Sequence, residues 1–283
     1  MTGTTRAALI VGVALLASAC GGGGTPATTP SRSIAPPSSG SASPGSASPG
    51  GTNATPSAAV GPVNPAPVVE GKPYRPALPD PADFVAVIDN PYLPFVPGTT
   101  SVYEGVSEGQ RERNVVVVTH RIKVILGVRT TVVHDQVFAR GELAENTFDW
   151  YAQDRFGNVW YFGEDTAEYA NGKVVNTDGT WQAGVDGAQA GIAMLGAPVV
   201  GETYRQEYYP GQAEDTGTIV ALDGTVDVPY GSFDRILKTE DATRLQPQLL
   251  ENKFYAPGIG VVLERTIAGG QEISRLVAFT SAG

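Results

Sequence analysis

The groups able to do chemistry are few and scattered. Only two histidines occur, His120 and His134. His120 shares the alternating phase of Val116, Val118, Ile122 and Val124, and His134 that of Val132 and Phe138, which places each on one face of a strand. A turn at Leu126-Gly127 joins the two strands. A two-residue loop there sets His120 opposite Val133, and a three-residue loop sets it opposite His134. One residue of register therefore decides whether the imidazoles meet, and a metal site would still need Asp135 or another carboxylate. Ser232, in "YGSFD", lacks the G-x-S-x-G elbow of an acyl hydrolase, and its neighbours suit a β-turn.

Carboxylates form a second set. Glu164, Asp165 and Glu168 follow a strand, and Glu214 and Asp215 follow "YYPGQ". Two such clusters meeting at strand ends make Glu164, Asp165, Glu214 and Asp215 candidate ligands for Ca²⁺, which takes about six to eight oxygens. The same acids could form a glycosidase pair about 5–10 Å apart. The D-x-D-x-D-G ladder of a calcium loop is absent, and a solvated acidic rim is the plain alternative. No resident cofactor is expected, with Ca²⁺ as the alternative, and no residue is assigned a catalytic role.

Aromatics crowd the same region. "DWYAQDRFGNVWYFGEDTAEY" (149–169) holds seven aromatics and five carboxylates in 21 residues. Strand alternation sends Phe148, Trp150 and Ala152 one way and Thr147, Asp149 and Tyr151 the other. A hairpin closing at "DRFGN" sets Tyr151 near Trp160, a favourable cross-strand pair. Both faces then carry bulk, and the second needs cover from the protein or from a guest. Tyr151, Trp160, Tyr161 and, from "RQEYY", Tyr208 are the candidate ligand-binding residues.

Strands must position all of these. Runs such as "NVVVVTHRIKVIL", "VRTTVVHDQVF", "GTIVALDGTVDV" and "GVVLERTI" are rich in β-branched residues. Turn signals separate them at Leu126-Gly127, Asn171-Gly172, Asp178-Gly179, Asp223-Gly224, Tyr230-Gly231, Gly258 and Gly269-Gly270. Asn171-Gly172 is the clearest hairpin, because both residues tolerate positive φ. Short connections imply antiparallel meanders, hence a mainly β fold: a single large curved antiparallel sheet or open half-barrel with one or two short helices. "DPADFVAVI" reads as the helix, capped by Asp80, with Pro81 at its first position and Phe84, Val87 and Ile88 on one face. The stretch 183–203 breaks the pattern and reads as a surface loop or an apolar flap.

The first 79 residues do something else. "MTGTTRAALIVGVALLASAC" combines Arg6, a short apolar run and small residues before Cys20, the one cysteine of the chain. This is the layout of a lipoprotein signal over 1–20, with Cys20 lipidated after cleavage and stably anchored in the bilayer by its acyl chains. Residues 21–79, rich in Gly, Ser, Thr, Pro and Ala, lack the apolar surface to offset ordering and read as a tether with a reach of roughly 40 Å. The β domain spans 80–283. With one cysteine, it has no disulfide and no thiolate metal site. All 29 acidic residues and 17 of the 19 basic ones lie from Glu70 onward, a balance of −12. That excludes nucleic acid as a partner and argues against docking on anionic lipid through the domain.

Five stretches resemble, as a set, an uncharacterised family of exported bacterial and archaeal proteins, many with a lipoprotein signal. They are "NPYLPFVPGTTSVYEG" (90–105), the stretch 149–169, "GETYRQEYYPGQAED" (201–215), "VPYGSFDRIL" (228–237) and "KFYAPGIGVVLE" (253–264), and the likeness covers 90–283. The pairing of "PYGSF" with "YAPGIGVV" is also similar to exported half-barrel proteins of the lipoprotein-carrier kind. The resemblance implies a β fold and an envelope location, and it transfers no functional residue. The expectation is a non-catalytic, membrane-anchored lipoprotein facing the extracytoplasmic side. Its partners would be the bilayer through Cys20 and an apolar small molecule or envelope protein, bound in the concave face. The alternatives are a Ca²⁺-dependent or two-carboxylate module and a structural protein-interaction module.

Overall fold

Fifteen strands form one antiparallel sheet in the computed structural model, which describes residues 78–282. Cys20, the signal and the tether up to residue 77 lie outside the described residues. In chain order the strands are β1 (Thr100–Ser107), β2 (Gln110–Ile125), β3 (Val128–Ala139), β4 (Glu142–Gln153), β5 (Val159–Ala170), β6 (Lys173–Asn176), β7 (Trp181–Gln182), β8 (Gln189–Met194), β9 (Thr203–Arg205), β10 (Glu207–Tyr208), β11 (Asp215–Val228), β12 (Gly231–Thr243), β13 (Leu250–Ala256), β14 (Gly260–Ala268) and β15 (Glu272–Thr280). The sheet runs β10-β8-β5-β4-β3-β2-β1-β15-β14-β13-β12-β11-β9, with β6 and β7 added on β5.

The two ends of that order, β9 and β10, are separated in the chain by Gln206 alone. β9 pairs with β11 and β10 with β8, so six residues stitch the sheet into a nearly closed barrel. The Gln206 amide donates to the Asp215 carbonyl at 2.9 Å. The expected half-barrel is thus closed by a short strand pair, and the stretch 183–203, left open between loop and flap, supplies wall strand β8.

Two-residue turns set the hairpins. Asn171 and Gly172 have φ of 53° and 71°, the positive pair an Asn-Gly hairpin requires. Leu126-Gly127, Glu108-Gly109 and Arg140-Gly141 adopt the same form. Asp223-Gly224 is no turn: it lies inside β11, where the register with β12 shifts around Ala221 and Gly224.

The expected helix shrinks to a 3-10 turn, Pro81–Asp83, capped by Asp80 as its sequence implies. Phe84 then extends and bridges Asp154, and Val85 donates to the Gln153 carbonyl at 2.9 Å. Backbone pairing with the β4–β5 hairpin, favoured by the β-branched Val85, Val87 and Ile88, outcompetes helical hydrogen bonds. Val87 is left 50% exposed. Residues 88–95 fold back on themselves and push Leu93 and Phe95 into the barrel end at the β4–β5, β2–β3 and β13–β14 turns, capping it. Free space between this cap and the wall, at Leu93, Phe95, Tyr103, Val118 and Val261, is about 20 Å³, room for one water at most.

Candidate functional site

The four aromatic candidates go to three places. Tyr151 pairs with Tyr161, not Trp160, because the hairpin closes on the pair Gln153 and Val159, which sets Ala152 opposite Trp160. Both rings point inward and stack at 4.7 Å, with Phe95 of the cap on Tyr151 at 4.6 Å and Trp181 edge-on to Tyr161 at 5.3 Å. Trp160 faces outward under Phe84, its indole N–H donating to Asp154 Oδ2 at 2.9 Å. Tyr208 carries the Arg205 guanidinium over its ring. The protein itself therefore covers both faces of the β4–β5 hairpin near its turn, and the concave face offers no open room at Tyr151 and Tyr161.

The candidate metal set does not assemble. Glu164 lies within β5, buried beside Asp149, while Asp165 points to the opposite face. Asp215 is buried inside, whereas Glu214 accepts from the Gly211 amide and lies 3.9 Å from Arg244 on the surface. Among the described residues, no cluster of three or more His, Cys, Asp or Glu is arranged to hold a metal. The histidines stay apart as well. The loop at 126–127 has two residues, but a bulge between Val118 and Ile122 pairs Val118 with Val133 and removes His120 from the ladder. His120 is exposed, while His134 stacks on Phe148 and hydrogen-bonds Asn146 Oδ1 at 2.8 Å.

What strand phasing missed is a row of buried acids along the barrel interior. Asp149, Glu164, Glu207, Asp215, Asp241 and Glu264 are all nearly inaccessible. Tyr161 donates to Asp149 Oδ1 at 2.8 Å, and Trp181 donates to Glu207 Oε2 at 3.1 Å. Lys253 is the cation of this row, 3.2 Å from Asp241 Oδ2 and 3.7 Å from Glu264 Oε1. Burial raises the carboxyls. It pushes Asp149 to about 7 against the Tyr161 hydrogen bond, Asp215 to about 7 and Glu264 to about 8 even beside Lys253. Glu164 and Glu207 move the same way by burial, each also repelled by neighbouring acids. Asp241 is the nearer partner of Lys253, and burial outweighs that ammonium at Glu264, which keeps its proton near neutrality. A carboxyl row buried in this way holds its protons out of contact with solvent.

The open feature lies on the outer wall. A groove of about 400 Å³ is lined by Lys123, Trp150, Asp165, Thr180, Trp181, Gln182, Val185, Asp186 and Tyr209. β2, β4, β5 and β7 place the first residues, and the turn after β7 brings Val185 and Asp186. The Lys123 ammonium sits 3.1 Å from the Trp150 ring centroid. Burial lowers its pKa, and Asp165 works against that shift. Of the candidates read from the sequence, Asp165 alone reaches this groove.

Fold and site together define a nearly closed, antiparallel β barrel with a packed interior and an aromatic–acid groove outside. No protein-family model and no curated protein matches the chain. Among solved structures, a candidate lipoprotein of Parabacteroides distasonis is similar at a TM-score of 0.38 and 12% identity, over 68% of this chain and 100% of that one. No helix among the described residues is long and apolar enough to cross a membrane.

Proposed function

We propose that the protein is a lipid-anchored, non-catalytic binding module of the cell envelope, held through Cys20 on the extracytoplasmic face, whose outer groove takes a small saccharide. One observation carries the reading: Trp150 and Tyr209 converge with Asp165, Asp186 and Gln182 on one open groove of about 400 Å³, with the backbone of Trp181 behind them and its indole turned inward to Glu207. That volume falls in the range of small-molecule sites, which combine apolar walls with a few placed polar groups. A sugar ring has the matching chemistry, with a C–H face for aromatic edges and hydroxyls for carboxylate and amide acceptors. Packing of Phe95, Tyr151 and Tyr161 inside the barrel moves the binding role from the concave face to the outer wall. The lipid anchor rests on the sequence around Cys20 and on the Gly/Ser/Pro-rich segment behind it.

The test is a tryptophan-fluorescence titration, since two of the chain's three tryptophans border the groove. Glucose, galactose, N-acetylglucosamine and their short oligomers are titrated against a long-chain fatty acid. Saturable quenching by a sugar, weakened about 10-fold or more in Asp165→Asn and Trp150→Ala, supports the reading; a tenfold loss corresponds to about 1.4 kcal/mol. Binding of the fatty acid with no response to any sugar overturns it in favour of an apolar ligand.

A further inference from the structure

A second and larger depression, about 780 Å³, opens on the outer wall where β1, β2 and β3 run out to the uncapped end. Arg111, Arg113 and Arg140 line it together with Phe138 and Val106. All three arginines are exposed, and none forms an ion pair among the described residues. In a domain whose balance is −12 this is unexpected, because carboxylates are available nearly everywhere else. The backbone holds the three together. Arg111 and Arg113 share a face of β2 two residues apart, roughly 7 Å along the strand. Arg113 stands directly across from Phe138 in the β2–β3 ladder. The Arg140 amide, in the β3–β4 turn, donates to the Arg111 carbonyl at 3.4 Å. Two acids also border the depression: Glu104, opposite Arg113 on β1, and Glu112, on the inward phase of β2.

We propose that this depression is a binding site for an anionic envelope glycan, with the arginines holding its carboxylate or phosphate groups and Phe138 lying against a sugar ring. Guanidinium groups pair bidentately with both kinds of anion and keep their charge at any physiological pH. Three arginines against two bordering acids leave a net positive charge in the depression, which an arriving anion neutralises. A glycan fits better than a bilayer because the site is concave, whereas a bilayer presents a broad surface. The site is independent of the groove at Trp150, so either can fail alone.

The full chain is assayed by calorimetry against polygalacturonate, neutral dextran of similar length, and vesicles of equimolar phosphatidylglycerol and phosphatidylcholine. The expected result is salt-sensitive binding to polygalacturonate and none to dextran. The triple variant Arg111→Gln/Arg113→Gln/Arg140→Gln should weaken that binding roughly 10-fold or more. A control triple, Arg129→Gln/Arg235→Gln/Arg244→Gln, should leave it within about twofold. Polyphosphate of similar length, titrated in parallel, separates the two anion sources: tighter binding of polyphosphate assigns the site to phosphate groups, and tighter binding of polygalacturonate assigns it to carboxylates. Equal loss in both triples, equal binding to dextran, or vesicle binding that falls in the Arg111/Arg113/Arg140 triple with no binding to polygalacturonate overturns the proposal.

Discussion

Tyr161 and Asp149 meet inside the barrel, hydroxyl to Oδ1 at 2.8 Å, one strand apart and with no solvent on either. The bond is the visible end of a longer arrangement. β4 and β5 turn Asp149 and Glu164 inward side by side, β10 adds Glu207 and β11 adds Asp215. Buried this way, a carboxyl is cheaper to keep protonated than to ionise. The interior is therefore polar yet close to neutral at mildly acidic pH, and stability becomes a function of proton supply.

That coupling has a definite sign. In the unfolded chain these acids titrate near 4 to 4.5. In the folded state Glu145, Asp149, Asp215 and Glu272 are raised to about 7, and Glu264 to about 8, all mainly by burial. Between those limits the folded state binds more protons than the unfolded one, so stability falls as pH rises. The contribution is whole below about pH 4 and is lost progressively up to about pH 8. Thermal melting should give a Tm at pH 5 above that at pH 8 by about 5 °C or more. Asp149→Asn, which mimics the protonated acid, should leave the pH 5 value near wild type and raise the pH 8 value. A flat profile, or a Tm that climbs with pH, contradicts the assignment.

Lys253 tests the same row from its basic side. Its ammonium lies 3.2 Å from Asp241 and 3.7 Å from Glu264, and these acids hold its proton more tightly than usual against the pull of burial. Lys253→Met keeps the volume and removes the charge. Stranding a buried carboxylate in this way costs about 3–5 kcal/mol. The loss should be larger at pH 8 than at pH 5, because the remaining acids then have less reason to ionise. Urea unfolding at the two pH values measures both numbers, and an equal loss at each would mean that the lysine acts through packing alone.

How far the sequence reveals this molecule depends on the range of the interaction. Asn171-Gly172 announces its own backbone, and the hairpin is there with both φ values positive. Glu108-Gly109 and Arg140-Gly141 make the same turn without a signal, since Glu and Arg have no preference for positive φ and are held there by the strands they join. Alternation sorts the two faces of β4 correctly but reads Glu164 as a solvated rim. A charge on a strand faces water unless the sheet closes over it, and closure here depends on β9 and β10, strands of three and two residues with no readable period. The groove was hidden for a related reason: Lys123, Trp150, Trp181 and Tyr209 belong to four separate segments, and only the barrel's curvature brings them together.

The closing seam makes its own prediction. Gly191 in β8 packs against the Gln206 carbonyl so closely that a Cβ would collide with it. Gly191→Ala should therefore cost about 1–3 kcal/mol, the usual penalty of overpacking where the backbone must shift. Hydrogen exchange should locate the damage. Amides of β8 and β10, together with the Gln206 amide, should lose protection, while the β2–β3 ladder keeps it. Uniform loss across the barrel would mean that closure and folding are one event rather than a local seam.

The cap at the other end hangs on Asn90. This side chain is 2% exposed and fully engaged. Its Nδ2 donates to the carbonyls of Gly157 and Leu195 at 2.8 and 3.1 Å, and its Oδ1 accepts from the amides of Tyr92 and Leu93 at 2.9 and 3.1 Å. One residue thus ties the β4–β5 turn, the exit of β8 and the cap together. Asn90→Ala removes four bonds and leaves buried partners unsatisfied, each with a penalty of about 1–3 kcal/mol, partly relieved by local rearrangement. A net loss of about 3 kcal/mol is expected in urea unfolding. Release of the cap should also expose Phe95 and Tyr151 and open the end of the barrel, so a hydrophobic dye that ignores the native protein should bind Asn90→Ala under native conditions. Asn90→Asp, which keeps the two acceptor bonds and loses the two donors, should fall between wild type and Ala. If the Ala variant melts early but binds no dye while folded, Asn90 stabilises the barrel without acting as the latch of its cap.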